Sequence, residues 1–517
     1  MDQQSAAAAT GTIDGFGWAR YTLLTDKNSI MKLIKYFLIT CLCLQSPQIF
    51  AKDYLATLFG IHSDGIGMNT KTIQFAIDYI SKNGGGRLVF HVGRYLTGSI
   101  YLKSNVTIQL EEGAVLLGSL NPFDYDQHEL TALIFAIDQQ NIGITGKGMI
   151  DGQGKAVARN VIDMIDKGLI KDKFRSGRPE VETRAMNISF LRCRDILIKG
   201  ITLKNSASWN QTYDLCKNLK MDSIYVDNKD YWNEDGVDLV DCEDVSVTNS
   251  FFDAADDCIC LKSHHANASC KNILIQNNTV RSSANGIKFG TVSRGGFSDI
   301  RIINNKVYDT YRSALALEAV DGGFIENILV DGLQSYNTGN VIFLRTGERF
   351  AKGSRFENVT IKNVYAEIPA GKPDAGYEYE GPIEDMPRNV SPGIIITGVP
   401  NLIIKNVQLS NIEIKHPGGG NRFFADVPLD KLNSIPEKSN KYPDFSMFKE
   451  LPAWGIYVRH ATGLVFSNIK MSSEKKDYRL PVVLDDVHDA KFINIKFNGM
   501  DKKQDVFQHN SSGVTFK

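Results

Sequence analysis

DVSVTN, residues 244–249, opens on an acid, alternates valine with a polar residue, and closes on asparagine. The same phrase returns as NILIQN from Asn272, DIRIIN from Asp299 and NILVDG from Asn327. Upstream it reads NVTIQL from Asn105, NIGITG from Asn141, DILIKG from Asp195 and NLKMDS from Asn218. Downstream it reads NVTIKN from Asn358 and NLIIKN from Asn401. From Asp195 to Asn327 successive starts lie 23, 26, 28, 27 and 28 residues apart. Short β-branched strands on that period, with Asn, Asp and Gly between them, predict an all-β parallel β-helix. One coil cannot bury its inward side chains alone, so stacking supplies the core. Asparagine suits the corners because it tolerates left-handed backbone and can hydrogen-bond from coil to coil. A β-sandwich would show tighter spacing and hairpin signals, and a propeller longer repeats of four strands.

The 517 residues, 43% hydrophobic and 23% charged, are too many for one compact core, which leaves several domains or an elongated repeat. A net charge of −1 gives no reason to expect nucleic-acid binding. Residues 31–51, MKLIKYFLITCLCLQSPQIFA, pair early lysines with an apolar run and a small residue, the pattern of a signal peptide. The run is too short to span a membrane comfortably. Residues 1–30 then read as a non-native or upstream extension, and 52–517 as one catalytic domain. LITC, ending at Cys41, only loosely resembles a lipoprotein box, so export outweighs lipid anchoring. Cys193, Cys216, Cys242, Cys258, Cys260 and Cys270 show no zinc-ligand spacing and are expected to stay unpaired.

Ahead of the repeats, apolar residues at helical spacing from Ile73 to Ile80 precede Gly84-Gly85-Gly86, predicting a short N-terminal capping helix. Residues 418–453 lack the repeat and are expected to form a long loop between late coils, flanking a binding face.

FFDAADDCICLKS, residues 251–263, carries acids where a buried strand should begin. Strand alternation sends Val237, Leu239, Ile259, Leu261, Ile287, Phe289, Leu315, Leu317, Ile342 and Leu344 inward. The same rule puts Asp238, Lys288, Glu318 and Arg345 on one outer face, with Asp235, Asp256 and Asp257 beside them. Clustered carboxyl groups flanked by cations suit glycosidic hydrolysis, where one acid protonates the leaving oxygen and one carboxylate activates water. Crowding raises at least one pKa and so supplies the acid form. Taken alone, the Asp-Asp pair fits calcium binding or corner hydrogen bonds better.

With the repeats around it, the chain resembles glycoside hydrolase family 28, the polygalacturonase-type pectinases, from about Tyr54 to the C-terminus. GGGRLVFHVGRYLTGSIYLKSNVTIQLEEGAVLLGS, GKGMIDGQG, ITLKNSASW and DDCICLKS carry the likeness, and Asn233-Glu234-Asp235-Gly236 matches the family's Asn-x-Asp-Gly element. The resemblance implies a right-handed β-helix and an inverting hydrolase. Asp256 would be the general acid, with Asp235 and Asp257 holding the hydrolytic water. Inversion would fit carboxyl groups far enough apart to admit that water. No metal or organic cofactor is implied; the partner is a pectic substrate and the chain a monomer.

Two positions depart from the pattern. The family's Gly-His-Gly falls at Ala284-Asn285-Gly286, so Asn285 stands for the histidine and cannot carry charge. Its Arg-x-Lys pair falls at Ala316-Leu317-Glu318, which lacks both cations. Lys288 or Arg345 is therefore expected to receive a uronate, with Asn233, Asp238, Asn285 and Glu318 also lining the substrate site. The altered clamp and long loops favour exo-action on galacturonic-acid-containing, branched or rhamnose-containing pectic fragments. A β-helical polysaccharide lyase, needing calcium and a Lys or Arg base, and a non-catalytic glycan-binding β-helix are the rival readings.

Overall fold

The computed structural model describes residues 52–517 apart from 129, 175–177, 374–375, 379–386 and 499–504. The readings for 1–30, for the signal peptide at 31–51 and for Cys41 lie outside the described residues.

The recurring phrase is one of three strands in each coil. Glu243–Thr248 pairs in parallel with Lys217–Asp222 and with Cys270–Gln276, so Val245 lies between Leu219 and Ile273. Phe251–Ala254 pairs likewise with Tyr225–Asn228 and Thr279–Ser282. A third ladder stacks Val237–Val240, Ile259–Ser263 and Ile287–Ser293, placing Asp238, Cys260 and Lys288 in one column. From Gly296 the strands run on through the corners. Gly296–Ala319 pairs with Phe324–Thr346 along its length, and the coils continue through Ala453–Lys475 and Leu480–Phe497.

The inward residues Val245, Ile273, Ile300 and Ile328 are all buried and belong to one core cluster. Each such side chain gains roughly 1.5–3 kcal/mol by leaving water. It does so only when the coils above and below are present, which couples coil to coil.

The corners follow the predicted chemistry. Asn105, Asn141, Asp195, Asn218, Asp244, Asn272, Asp299, Asn327 and Asn358 all have positive φ, between 53° and 66°. Their side chains bond between coils: Asn141 donates to Asn105 at 3.0 Å, Asn218 to Asp195 at 2.6 Å and Asn272 to Asp244 at 2.7 Å. The repeat placed at Asn401 is corrected by five residues. Asn406, with φ 52°, carries the corner and donates to Asn358 at 3.2 Å. The chain turns at Val399–Leu402, so NVQLSN and not NLIIKN is the repeating phrase there.

A second, buried asparagine ladder runs beside the first. Asn278 Oδ1 accepts from the Ser250 amide at 3.0 Å, and the Asn278 amide donates to Asn305 Oδ1 at 2.9 Å. Asn278→Ala leaves the buried Ser250 N–H without its acceptor. The expected loss of unfolding free energy is about 1–3 kcal/mol, read from a urea titration; an unchanged midpoint would remove the ladder from the account of stability.

Helix α1, Thr70–Lys82, forms where the periodicity places it and buries Ile73, Ala76, Ile77 and Ile80 in the main core. A second helix, α2, Gly154–Asp166, was not foreseen; Val157, Ala158 and Val161 are its buried stripe. Residues 418–453 are more than a loop. They contain a 3-10 turn at Leu429–Ser434 and pack Leu432, Ile435, Met447, Phe448 and Leu451 into a second apolar cluster. That cluster covers Ala316, Phe343, Ile395, Tyr457 and Val483, which face outward from the late coils. The six predicted unpaired cysteines are buried and free.

Candidate active site

Asp235 and the Asp256-Asp257 pair enter neighbouring strands of the third ladder. The turn before Asp235 is tight: Asn233 sits at φ 55°, and the Gly236 amide donates to the Asp257 carbonyl at 2.9 Å. A Cβ on Gly236 would lie 2.4 Å from the Cys258 carbonyl oxygen, so glycine is required for the coils to approach. Asp235, Asp256 and Asp257 each offer a carboxyl oxygen within 4.8 Å of the others. Inverting pairs typically set their carboxyl groups roughly 6.5–9.5 Å apart to leave room for a water. Oxygens as close as those of the trio can share one water, which each reaches at about 2.7–2.8 Å.

The three acids differ in what surrounds them. Burial raises the Asp256 pKa, the Asp257 charge raises it further, and Arg312, Lys288 and Lys262 recover only part. Burial also pushes on Asp257, but Lys288, Arg312 and the Asn285 amide outweigh it and hold this carboxyl below its usual value. Lys288 Nζ is 3.0 Å from Asp257 Oδ2, and Asn285 Nδ2 donates to Asp257 Oδ1 at 2.8 Å. Adjacent residues thus favour opposite protonation states. Asp235 is raised by burial and by Asp238, and its Oδ1 has no hydrogen-bond partner among the described residues. Its Oδ2 accepts from Lys262 at 3.2 Å. The trio is compact enough to hold a cation, but the ammonium groups of Lys262 and Lys288 already lie on two of its members.

Beside the trio an outward column of side chains runs toward the N-terminal coils. Phe135, Ser189, Thr212 and Asp238 occupy successive positions of one outward column. A cavity of about 250 Å³ lies there, bounded by His128, Phe135, Arg192, Thr212 and Asp214. Tyr101 stacks on Phe135 with ring centroids 5.4 Å apart, and Trp209 packs in the same cluster. On the other side the covered face made by residues 418–453 begins at Ala316, directly above Lys288 in the register.

The profile of Glycosyl hydrolases family 28 matches residues 89–314, a span that contains all three acids. Over that stretch the chain is similar to family 28, and with its polygalacturonase relatives this marks it as a glycoside hydrolase. It is 27% identical over 422 residues to a probable polygalacturonase of Vitis vinifera, covering 75% of this chain and 78% of that one. It is 26% identical over 441 residues to an exo-poly-alpha-D-galacturonosidase of Dickeya chrysanthemi, covering 73% and 70%. The solved family 28 exopolygalacturonase of Yersinia enterocolitica shares the fold at a TM-score of 0.59 and 19% identity, covering 90% of this chain and 78% of that one.

In this glycoside hydrolase the remaining predicted residues separate into two groups. Asn233, Asp238, Asn285, Lys288 and Glu318 lie at the trio or beside its cations. Asn233 Nδ2 reaches Asp256 Oδ2 at 3.4 Å, and Asp238 shares Lys262 with Asp235. Lys288 is buried, and besides Asp257 it donates to Tyr442 Oη at 2.8 Å. It is therefore not a free cation waiting for a uronate. Arg345 is the clearest correction. It faces outward as alternation requires, yet it is 1% exposed and donates to the carbonyls of Thr397, Gly398 and Glu437. Its guanidinium holds the covering segment and lies over the Phe448 ring. Asp253, conspicuous in the sequence, stands apart from the trio and binds Lys229, Arg281 and Tyr377.

Several residues of the hydrolase's site escaped sequence reading. Lys262 is buried over the Trp209 ring, 3.7 Å from its centroid. Arg184, fully buried, donates to the Ala207 and Trp232 carbonyls at 2.7 and 2.6 Å and to Asn233 Oδ1 at 3.0 Å, so it fixes the turn before Asp235. Arg312 pairs with Asp444 at 3.1 Å, and Asp444 and Tyr442 both come from the covering segment. Lys262 was legible, since alternation in CICLKS sends it outward two residues after Cys260.

Glu318 gives the site a pH signature. Burial raises its pKa to about 8; Lys288 opposes, and Asp257 and Asp444 add to the rise. The unfolded chain ionises this carboxyl near its ordinary 4.5. The folded state therefore holds the extra proton between about 4.5 and 8. The resulting stability is complete below 4.5 and lost as pH rises through 8. Glu318→Gln is expected to flatten the decline in unfolding free energy over that window, measured by denaturant titration at each pH. Parallel slopes for both proteins would contradict the assignment.

Proposed function

We propose that this glycoside hydrolase cleaves pectic oligosaccharides from a chain end with inversion, on a right-handed parallel β-helix closed at its N-terminal end by α1. The observation that carries the reading is one compact trio of carboxyl groups in which Lys288 and Asn285 lie on Asp257 and lower its pKa, while burial raises that of Asp256. Asp256 gives its proton to the glycosidic oxygen as the C–O bond breaks. Asp257, as carboxylate, and Asp235 orient a water whose oxygen bonds to the anomeric carbon, and Asp257 takes the proton released. Asn285, in place of a histidine, tunes Asp257 through a neutral amide.

The substrate class rests on the named activities of the relatives, which are polygalacturonases and an exo-acting galacturonosidase. Exo-action is supported by the cover that residues 418–453 lay over the outward column from Ala316, directly above Lys288. Residues 31–51 are read as an export signal, 52–517 as one catalytic domain and the enzyme as a monomer. No helix among the described residues is long and apolar enough to cross a membrane.

The test is digestion of homogalacturonan, rhamnogalacturonan and branched pectic fragments, with the released sugars identified by mass spectrometry. Saturated mono- or disaccharides released from chain ends are expected. Products carrying an ultraviolet-absorbing unsaturated uronate would mean elimination, as in a lyase. No release at all would favour a glycan-binding protein.

A further inference from the structure

The site holds more carboxyl groups than cations, and every cation is already engaged. Lys262 lies on Asp235 and Asp238. Lys288 lies on Asp257 and bonds Tyr442. Arg312 pairs with Asp444, and Arg345 is spent on three carbonyls. Against Lys262, Lys288 and Arg312 stand Asp235, Asp238, Asp256, Asp257, Glu318 and Asp444. Were Asp235, Asp256 and Glu318 protonated, Lys262, Lys288 and Arg312 would still each lie on a carboxylate, in Asp238, Asp257 and Asp444. The position above Lys288 in the outward column is the Ala316 methyl, and two residues on is Glu318, beneath Arg345. Lys262, Lys288 and Arg312, the cations named by the electrostatics of the pair, thus each lie on a carboxylate of the chain, and Arg345 has its N–H groups on carbonyls.

We propose, building on the hydrolase reading above, that the subsite bounded by Asp257, Lys288 and Glu318 takes a neutral glycosyl unit. At least one of the two sugars flanking the cleaved bond then carries no carboxylate. A uronate there would add a seventh carboxyl group to a site whose cations are satisfied. It would have to share Lys288 with the Asp257 carboxylate already lying on it, or be protonated on binding. A hydroxymethyl or methyl group at the same ring position requires neither. The selection works chiefly by rejection, through like-charge juxtaposition, and not by a dedicated new contact.

The deciding experiment compares galacturonic-acid oligosaccharides with their carboxyl-reduced counterparts, alongside pectic fragments in which neutral sugars adjoin uronates. The sugars on both sides of each cleaved bond are identified. Fastest cleavage next to a neutral sugar is expected, with kcat/KM at least about tenfold above that for a bond between two uronates. Fastest cleavage between two uronates would overturn the proposal while leaving the hydrolase reading intact. Failure to cleave any pectic substrate would instead overturn the hydrolase reading, and this proposal with it. Glu318→Gln supplies a second measurement. Removing one carboxyl beside Lys288 should narrow the preference for the neutral member of the pair, and an unchanged ratio would exclude Glu318 from the selection. Should that variant fail to fold, the substrate comparison on the unaltered enzyme decides alone.

Discussion

Asp256→Asn is expected to lower kcat for pectic oligosaccharides by about 10²–10⁴-fold, the usual contribution of a positioned general acid. KM should change little, because the amide keeps the size and most hydrogen bonds of the carboxyl group. The prediction has a sharper form. With an aryl glycoside whose leaving group needs no protonation, the same variant should recover most of its activity. Asp257→Asn should not, since water activation is required whatever leaves. The contrast follows from the electrostatics of the pair. Lys288 at 3.0 Å and Asn285 at 2.8 Å lower the Asp257 pKa, while burial and that neighbouring charge raise the Asp256 pKa. Equal losses for both variants on both substrate types would remove the division of labour.

Lys262→Met is expected to be the most destabilising single change at the site. Asp235 and Asp238 are both buried, and Lys262 is the ammonium group that lies on both. Removing one partner of a buried pair costs about 3–5 kcal/mol, because the remaining charge is uncompensated. The penalty should shrink at acid pH, where the two carboxyl groups are protonated and need no counter-charge. Adding Asp238→Asn should restore part of the lost stability, since one anion fewer then requires neutralising. The measurement is unfolding free energy by denaturant titration of the three proteins at neutral and acid pH. A single variant as stable as the parent would mean that the Lys262 charge contributes little.

The parts of the molecule legible in the sequence are those governed by local rules. Alternation and the spacing of Asn and Asp corners identified the coils, because a left-handed corner and a buried aliphatic each constrain one residue at a time. The acids at 235, 256 and 257 could be placed together because coils of that period bring residues one turn apart into contact. The failures came where contact depends on distant sequence. Alternation says that Arg345 points outward, but the cover from residues 418–453 decides whether outward means solvent. Lys288 looked like a free cation for the same reason, its partner Tyr442 being 154 residues away. Arg184 was invisible because its work is to satisfy carbonyls and one asparagine, which leaves no pattern in the chain. The error at Asn401 was of another kind, an apolar phrase of the right form five residues before the true corner.

The measurement closest to the centre of the account is the anomeric form of the first product, followed by proton NMR during the opening minutes of hydrolysis. Water held by Asp235 and Asp257 and delivered opposite the leaving group yields the inverted anomer first, with the other growing in only by mutarotation. A first product of retained configuration would require a carboxylate bonded to the sugar, and would contradict the role given to all three acids.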